Sequence, residues 1–565
     1  MEYQVSAMDS AKVELTESNE NGISFVTLKA NFTGENAPEA LRVSFSIPSC
    51  DCYSTWSPSV RFNRTLAPNW CSKRTNAKLA SWMPVHQIVS LGGENRITIA
   101  VSDTATPTEI KTGISEEDAR VMCSVGFFTE QTTPIEYYEA KIRIDTRPIA
   151  YYDSIYQVVD WWEQDCGYTP AAVPEAARLP MDSLWYSFHQ NLQYDSIVEE
   201  CKLSKAMGME TVIIDDGWQT DDNHRGYKYC GDWELATGKI PDMEKLVADI
   251  HAIGMKVMLW FAMPYVGVCS KNYKRFEDKC LYANEKFLVL DPRCPEVCDF
   301  LVDTYKTAVR NWKLDGLKLD FIDAFTLKPE SKTRMDISLE AAVDGLMVRI
   351  REELLTVNPD ILIEFRQGYI GPSIRKYGNM LRVGDCPNDP LVNRGDIVNM
   401  RLTSGKTPVH SDMIMWNREE KVEDAALHII PALVGVPQIS MRIDQLSQEH
   451  KKMLKFYLDF WKENRAVLLD GKLIADNPET NYSQVKAVSQ SSEIVTVYEN
   501  VVVDVRRPVC KIINASKLGF VIVKNAANRN YRVVNCMGEI LTQGRIENNL
   551  TEIKMPASAI LTVEA

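Results

Sequence analysis

Gly316-Leu-Lys-Leu-Asp-Phe321 sets a cation and a carboxylate two residues apart inside an apolar run. If this run is a β-strand, Lys318 and Asp320 share one face, while Leu317, Leu319 and Phe321 take the other. The apolar face must pack on neighbouring elements, so the charged pair points into an interior where each ion needs a partner. A carboxylate kept ionised there by a neighbouring ammonium is equipped to act as a nucleophile. A second carboxylate, Asp385, follows Arg382 in Leu381-Arg-Val-Gly-Asp385. These two have opposite parity on an ideal strand, so both reach one centre only if the strand ends or bulges near Gly384. Two carboxylates facing each other across a sugar-sized pocket can cleave a glycosidic bond. One attacks the anomeric carbon, and the other protonates the departing oxygen and then deprotonates water. Lys318 assigns the nucleophile role to Asp320. Asp385 is left as the acid/base, with Arg382 opposing the raised pKa an acid needs.

Other polar residues fall at similar positions: Asp215-Asp216-Gly217-Trp218, Trp185, Trp260, Glu364 with Arg366, and His410 with Asp412. Asp215 and Asp216 suit hydrogen bonds from vicinal hydroxyls, and Arg366 is a further candidate sugar contact. Trp185, Trp218 and Trp260 suit stacking on a pyranose face, although tryptophans at strand ends are more often packing. The adjacent carboxylates would otherwise suit a divalent cation.

Bringing these residues together calls for a parallel barrel. Across 181–470, eight apolar β runs alternate with amphipathic helical patterns: SLWYSF, TVIIDDGW, KVMLWFAM, GLKLDFI, ILIEFR, MLRVGD, VHSDMIMW and PQISM. That is the pattern of a (β/α)8 TIM barrel, whose chemistry gathers at the carboxyl ends of its strands. No G-x-G-x-x-G follows the first run, which disfavours an open doubly wound sheet. Residues 1–150 read as an N-terminal β-sandwich, with GISFVTLKANF, ALRVSFSI, NRITIAVSD, VMCSVGFF and YYEAKIRI as strands. Residues 151–180 hold one helix and a proline-broken linker, and 471–565 return to short strands as a C-terminal β-sandwich. The fold class expected is therefore multidomain α/β plus all-β.

The 565 residues carry 77 acidic and 63 basic side chains, a net charge of −14. With no Lys/Arg-rich run, a nucleic-acid partner is excluded. No apolar stretch reaches the roughly 18 residues that would cross a bilayer, and the opening residues lack a signal-peptide pattern. The expectation is a cytoplasmic protein without a membrane partner. Fourteen cysteines show no paired C-x-x-C sets, so they are expected to be reduced and mostly buried. Seven histidines show no H-x-x-x-H pair. No metal and no cofactor are expected. The sequence leaves oligomeric state, a homo-oligomer included, open.

IIDDGW (213–218), GLKLDF (316–321) and LRVGD (381–385), on the second, fourth and sixth barrel runs, resemble the α-galactosidases of glycoside hydrolase clan D, particularly family 36. The three-part plan is similar as well. The resemblance implies Asp320 as nucleophile, Asp385 as acid/base, retention of anomeric configuration and no metal. It also implies sugar-hydroxyl contacts for Asp215, Asp216, Lys318 and Arg382. The chain departs from the family in three places. Glu364-Phe-Arg-Gln-Gly-Tyr369 stands where the family has a Cys-Ser-Gly-rich run ending in Arg near the sugar's 2-hydroxyl. Trp260-Phe-Ala-Met-Pro-Tyr265 replaces Trp-Phe-Glu-Pro-Glu, and Cys386-Pro-Asn-Asp389 replaces Asn-Thr-Asp. The carboxylate pair survives these changes, while the glycone's C2 substituent stays open, as in a divergent branch.

The leading expectation is a retaining, exo-acting α-galactosidase acting on a small oligosaccharide or other α-glycoside. An α-N-acetylgalactosaminidase or an α-galactosyl transglycosylase would use the same site. A Schiff-base lyase using Lys318 is a different chemistry, opposed by Asp320, which favours the ammonium. A non-catalytic sugar-binding protein is a third class. Retention requires the carboxyl groups of Asp320 and Asp385 to stand about 5–6 Å apart, whereas about 9 Å would imply inversion.

Overall fold

Along Leu41–Pro48 the residues Leu41, Val43, Phe45 and Ile47 are buried while Arg42, Ser44 and Ser46 are half-buried, the period of a strand with one face in a core. In the computed structural model, which describes residues 1–564 apart from 8–10, 34–36, 330, 333–335 and 367, this strand belongs to a five-stranded sheet. That sheet faces a six-stranded one containing Ala11–Glu20, Ile23–Phe32 and Tyr137–Asp145. Their inner faces share a core that includes Val26, Leu28, Val43, Phe45, Ile99, Val125 and Ile142. The N-terminal part is thus a β-sandwich. Ala11–Glu20, unforeseen in the sequence, lies at the edge of its sheet; Ala11, Val13 and Leu15 alternate toward the core and are only half-buried, while Thr16–Glu20 are polar and exposed.

Eight parallel strands close into a barrel: β1 (Met181–Ser183), β2 (Thr211–Ile214), β3 (Lys256–Ala262), β4 (Gly316–Asp320), β5 (Leu362–Arg366), β6 (Met380–Arg382), β7 (Val409–Ile414) and β8 (Val436–Ile439). Every residue of β4 and β5 is buried, as strands wrapped by helices must be. The helices carry ordinary end signals. Met243–Ile253, for example, starts where Asp242 accepts from Lys245 N at 3.0 Å and stops at Gly254, whose φ is 88°.

The first strand corrects the sequence reading. SLWYSF is not a strand: β1 ends at Ser183, and Leu184–Phe188 is a helical turn. Ser440 Oγ, from beyond β8, accepts from the backbone N–H groups of Tyr186 at 3.0 Å and Ser187 at 3.1 Å. The free donors at the start of that turn are thereby satisfied from the neighbouring strand that closes the barrel. A small sheet of Tyr265–Gly267, Phe287–Leu290 and Cys280–Ala283 is inserted after β3. Beyond the long helix Gln448–Asp470, a seven-stranded and a three-stranded sheet enclose the C-terminal core of Val495, Val503, Ile512, Val523 and Leu561. Seven of the fourteen cysteines are buried and Cys50, Cys71 and Cys269 are exposed, so burial is less general than expected.

Candidate active site

Strand β4 points Lys318 and Asp320 inward, but their partners differ from the expectation. Lys318 Nζ lies 2.6 Å from Asp215 Oδ2 at the end of β2, and both side chains are only 4% exposed. The cation on Asp320 is Arg366, at the end of β5, whose Nε donates to Oδ1 at 2.7 Å. Asp320 also accepts from Trp260 Nε1 at 2.9 Å, from Phe321 N at 2.9 Å and from the Tyr369 hydroxyl. The chain turns sharply after it. Phe321 has a φ of 66°, and its ring lies beneath the Arg366 guanidinium at 5.2 Å and stacks on Tyr265 at 4.9 Å. Phe321 therefore packs at the mouth and not on the outer face expected from strict alternation, because β4 ends at Asp320. A bulky residue held in the left-handed region beside a buried carboxylate is strain of the kind that gathers at functional sites.

Strand β6 ends at Arg382, which removes the parity conflict and lets Asp385 swing back over it. Arg382 Nη2 donates to Asp385 Oδ1 at 2.9 Å, and Arg366 Nη1 reaches the same oxygen at 3.2 Å. One guanidinium thus contacts both Asp320 and Asp385. Arg382 is fully buried beneath the pair, with Nη1 on Asp412 Oδ1 at 2.5 Å. Asp412 in turn accepts from Cys386 N and the Tyr186 hydroxyl. Asp385 is the open member of the set: its side chain is 37% exposed, against 4% for Asp320.

Asp216 is held by Gln190 Nε2 at 2.8 Å and Gln219 Nε2 at 2.7 Å. Gly217, with a φ of 120°, lets the chain leave β2 past Gln190; a Cβ there would stand 2.6 Å from Gln190 Cα. That turn sends Trp218 away from the mouth. It is fully buried among Trp233, Phe261 and Trp312, its Nε1 on Trp260 O at 2.9 Å. Trp218 is core, not a sugar platform. Trp260 is also buried and serves Asp320 as a donor. Trp185 alone of the three is half-open, at the rim with His189 and Arg225 against its ring.

Asp215, Asp216, Asp320, Glu364, Asp385 and Asp412 confront Lys318, Arg366 and Arg382, and the titration of the carboxylates divides accordingly. Burial pulls Asp320 upward, yet Arg366, Lys318 and the Tyr369 hydroxyl hold it below the usual carboxylate range. Burial is likewise outweighed at Asp385, where Arg382, Arg366 and Lys318 depress the carboxyl strongly. Burial and the neighbouring Asp215 charge lift Asp216 to about 6, and burial raises Glu364 and Asp412.

The profile of the family described as Melibiase matches residues 181–471, about half the chain and the whole of the barrel. The chain belongs to the melibiase family. The α-galactosidase AgaA of Geobacillus stearothermophilus is 23% identical over 354 residues, covering 57% of this chain and 47% of that enzyme. The chain spans about half the length, or less, of the curated relatives it matches. A crystal structure of a family 36 AgaA variant with 1-deoxygalactonojirimycin superposes with a TM-score of 0.67 at 13% identity, covering 98% of this chain and 81% of that one. The α-galactosidase structure from Lactobacillus brevis gives 0.67 at 15% identity, over 100% and 85% of the two chains. At these identities the superpositions establish the fold: a barrel between β-sandwiches.

Within this melibiase barrel the sequence reading missed Tyr369, Tyr186, Gln190 and Gln219. Each reaches the site from a loop or turn, where neither helical nor strand periodicity marks a side chain's direction. Gln367, within the departure after β5, lies outside the described residues. Among the described residues no group of three or more His, Cys, Asp or Glu side chains is arranged to hold a metal ion, and no helix is long and apolar enough to cross a membrane. Asp215 and Asp216 already have Lys318 and two glutamines as partners.

Proposed function

We propose that the chain is a retaining, exo-acting α-glycosidase whose glycone is galactose, with Asp320 as nucleophile and Asp385 as general acid/base. The observation that carries this reading is Arg366, whose single guanidinium contacts both carboxylates. One cation shared by both carboxylates sets them at the same pocket, as a nucleophile and an acid/base serving one anomeric carbon must be. In the first step Asp320 bonds to the anomeric carbon as the C1–O bond to the leaving group breaks, and Asp385 delivers a proton to the departing oxygen. In the second, Asp385 takes a proton from water, whose oxygen attacks C1 and releases Asp320. Arg366 gives this exchange its direction. Once Asp320 is esterified it loses its charge, so the guanidinium acts on Asp385 alone and favours the base that the second step needs.

Asp215, Asp216 and Lys318 sit where they can hold sugar hydroxyls, with Trp185 at the rim. Asp216 gives a pH signature. Lifted to about 6, it gains a proton as pH falls through that value and loses acceptor strength. KM is expected to rise below about pH 6, and Asp216→Asn to abolish that rise; a KM independent of pH in the wild type would remove Asp216 from the binding site.

The Schiff-base reading is weakened by the buried Asp215 carboxylate on Lys318 Nζ, since a nucleophilic amine must be uncharged. The test is a panel of α- and β-linked nitrophenyl glycosides with wild type and Asp320→Ala. Release from the α-galactoside that vanishes in the variant is the expected result. Release only from an N-acetylgalactosaminide would keep the mechanism and move the glycone, and no release from any member would overturn the assignment.

A further inference from the structure

The hairpin at 78–83 belongs by sequence to the N-terminal sandwich, yet its apolar residues Leu79, Ala80 and Met83 are buried in the barrel's core cluster and not in the sandwich's own. Lys78 and Ser81 close the hairpin by exchanging backbone hydrogen bonds at 2.9 Å. Lys78 Nζ reaches Thr326 Oγ1, in the loop after β4, at 3.0 Å. Trp82, with a φ of 56°, donates its backbone N–H to Gly368 O at 2.5 Å, in the loop after β5. Its indole lies against Gly368, where a Cβ would stand 3.2 Å from the ring, and its carbonyl crowds Gly371, where a Cβ would stand 2.7 Å away. Gly371, with a φ of 137° and the Trp82 carbonyl 2.7 Å from any Cβ, is needed for the loop to seat on Trp82, and Gly368 lets it close tightly on the indole. Between them lies Tyr369, fully buried, whose hydroxyl donates to Asp320 Oδ1 and accepts from Phe321 N at 3.3 Å.

We propose that Trp82 is a positioning residue for the reaction. It fixes the Gly368–Gly371 turn and thereby the Tyr369 hydroxyl that orients Asp320 and helps to keep it anionic. The inference rests on the glycosidase reading above and adds a role for the N-terminal sandwich. Tyr369 is the group that touches the nucleophile; Trp82 acts through it. A nucleophile displaced by a fraction of an ångström loses its attack geometry while the sugar-binding groups on β2 stay in place, so the effect falls on kcat rather than KM.

The test is a double-mutant cycle on a nitrophenyl α-galactoside, with full pH profiles. Trp82→Ala is expected to lower kcat by about 100-fold with KM nearly unchanged. It should also move the acid limb of kcat/KM to higher pH, because a loosened hydrogen bond leaves Asp320 easier to protonate. Trp82→Phe, which keeps a flat ring under Gly368, should restore most of the loss. Trp82→Ala should add little in a Tyr369→Phe background, since both break one chain of contacts. Hydrogen exchange across 362–376 should speed up in Trp82→Ala while exchange in the sandwich core stays native-like. An active wild type whose Trp82→Ala variant keeps its kcat, or in which the two substitutions multiply independently, overturns this proposal alone. A wild type that cleaves no glycoside overturns the functional reading before any variant is compared.

Discussion

Asp320→Ala is expected to lower kcat by at least about 10⁴-fold on every substrate the wild type cleaves. The size of the effect follows from the burial of the group and the number of donors aimed at it. Arg366, Trp260, Tyr369 and the Phe321 N–H converge on its two oxygens, and removing the carboxylate leaves these donors facing a void. No other carboxylate takes its place, because Asp385 is anchored on Arg382 and Asp215 on Lys318. Sugar affinity should survive, since Asp215, Asp216 and Lys318 are untouched. Steady-state rates with calorimetric binding of the free sugar check both halves. A variant that keeps even a tenth of wild-type kcat would show that attack comes from elsewhere. One that loses binding together with rate would make Asp320 a binding group.

Asp385→Ala should separate the two steps. A nitrophenolate leaves without help, so glycosylation by such a substrate is expected to stay fast, while hydrolysis of the intermediate slows by about 10²–10⁴-fold. Stopped-flow traces should then show a burst of nitrophenol equal to the enzyme concentration. An alkyl or oligosaccharide leaving group needs the proton, so both steps should slow. The same logic predicts the wild-type pH profile. Arg382 and Arg366 hold the Asp385 carboxyl well below the usual range in the free enzyme, so its protonated fraction shrinks steadily as pH rises. For a glycoside that needs proton donation, kcat/KM should fall with rising pH, whereas the nitrophenyl glycoside should give a flatter profile. Identical profiles for the two substrates, or no burst in the variant, would take the acid/base role from Asp385.

Periodicity accounts for what is legible in the amino-acid sequence. Residues two apart on a buried strand share a face, so Lys318 and Asp320 are legible as inward-pointing. Seven of the eight apolar runs carry barrel strands, and only the first, SLWYSF, lies beyond its strand but for Ser183. Pairing between strands is not legible: β2 and β5, and not β4 itself, supply the partners, giving Lys318 to Asp215 and Arg366 to Asp320. Local rules also end with the strand. Phe321 breaks alternation because the chain enters a left-handed turn, and Trp218 is sent into the core by Gly217. SLWYSF reads as a strand because its apolar content suits one, whereas Ser440, more than 250 positions away, starts a helical turn there. Tyr369 and Trp82 sit in loops whose course is set by packing between distant segments, a constraint with no local signature.

The central claim is double displacement at Asp320, and stereochemistry tests it most directly. Proton NMR of the sugar first released from an α-galactoside, recorded before mutarotation, should show the α-anomer. First appearance of the β-anomer would contradict the account, because a single inversion has no place for a bond to Asp320.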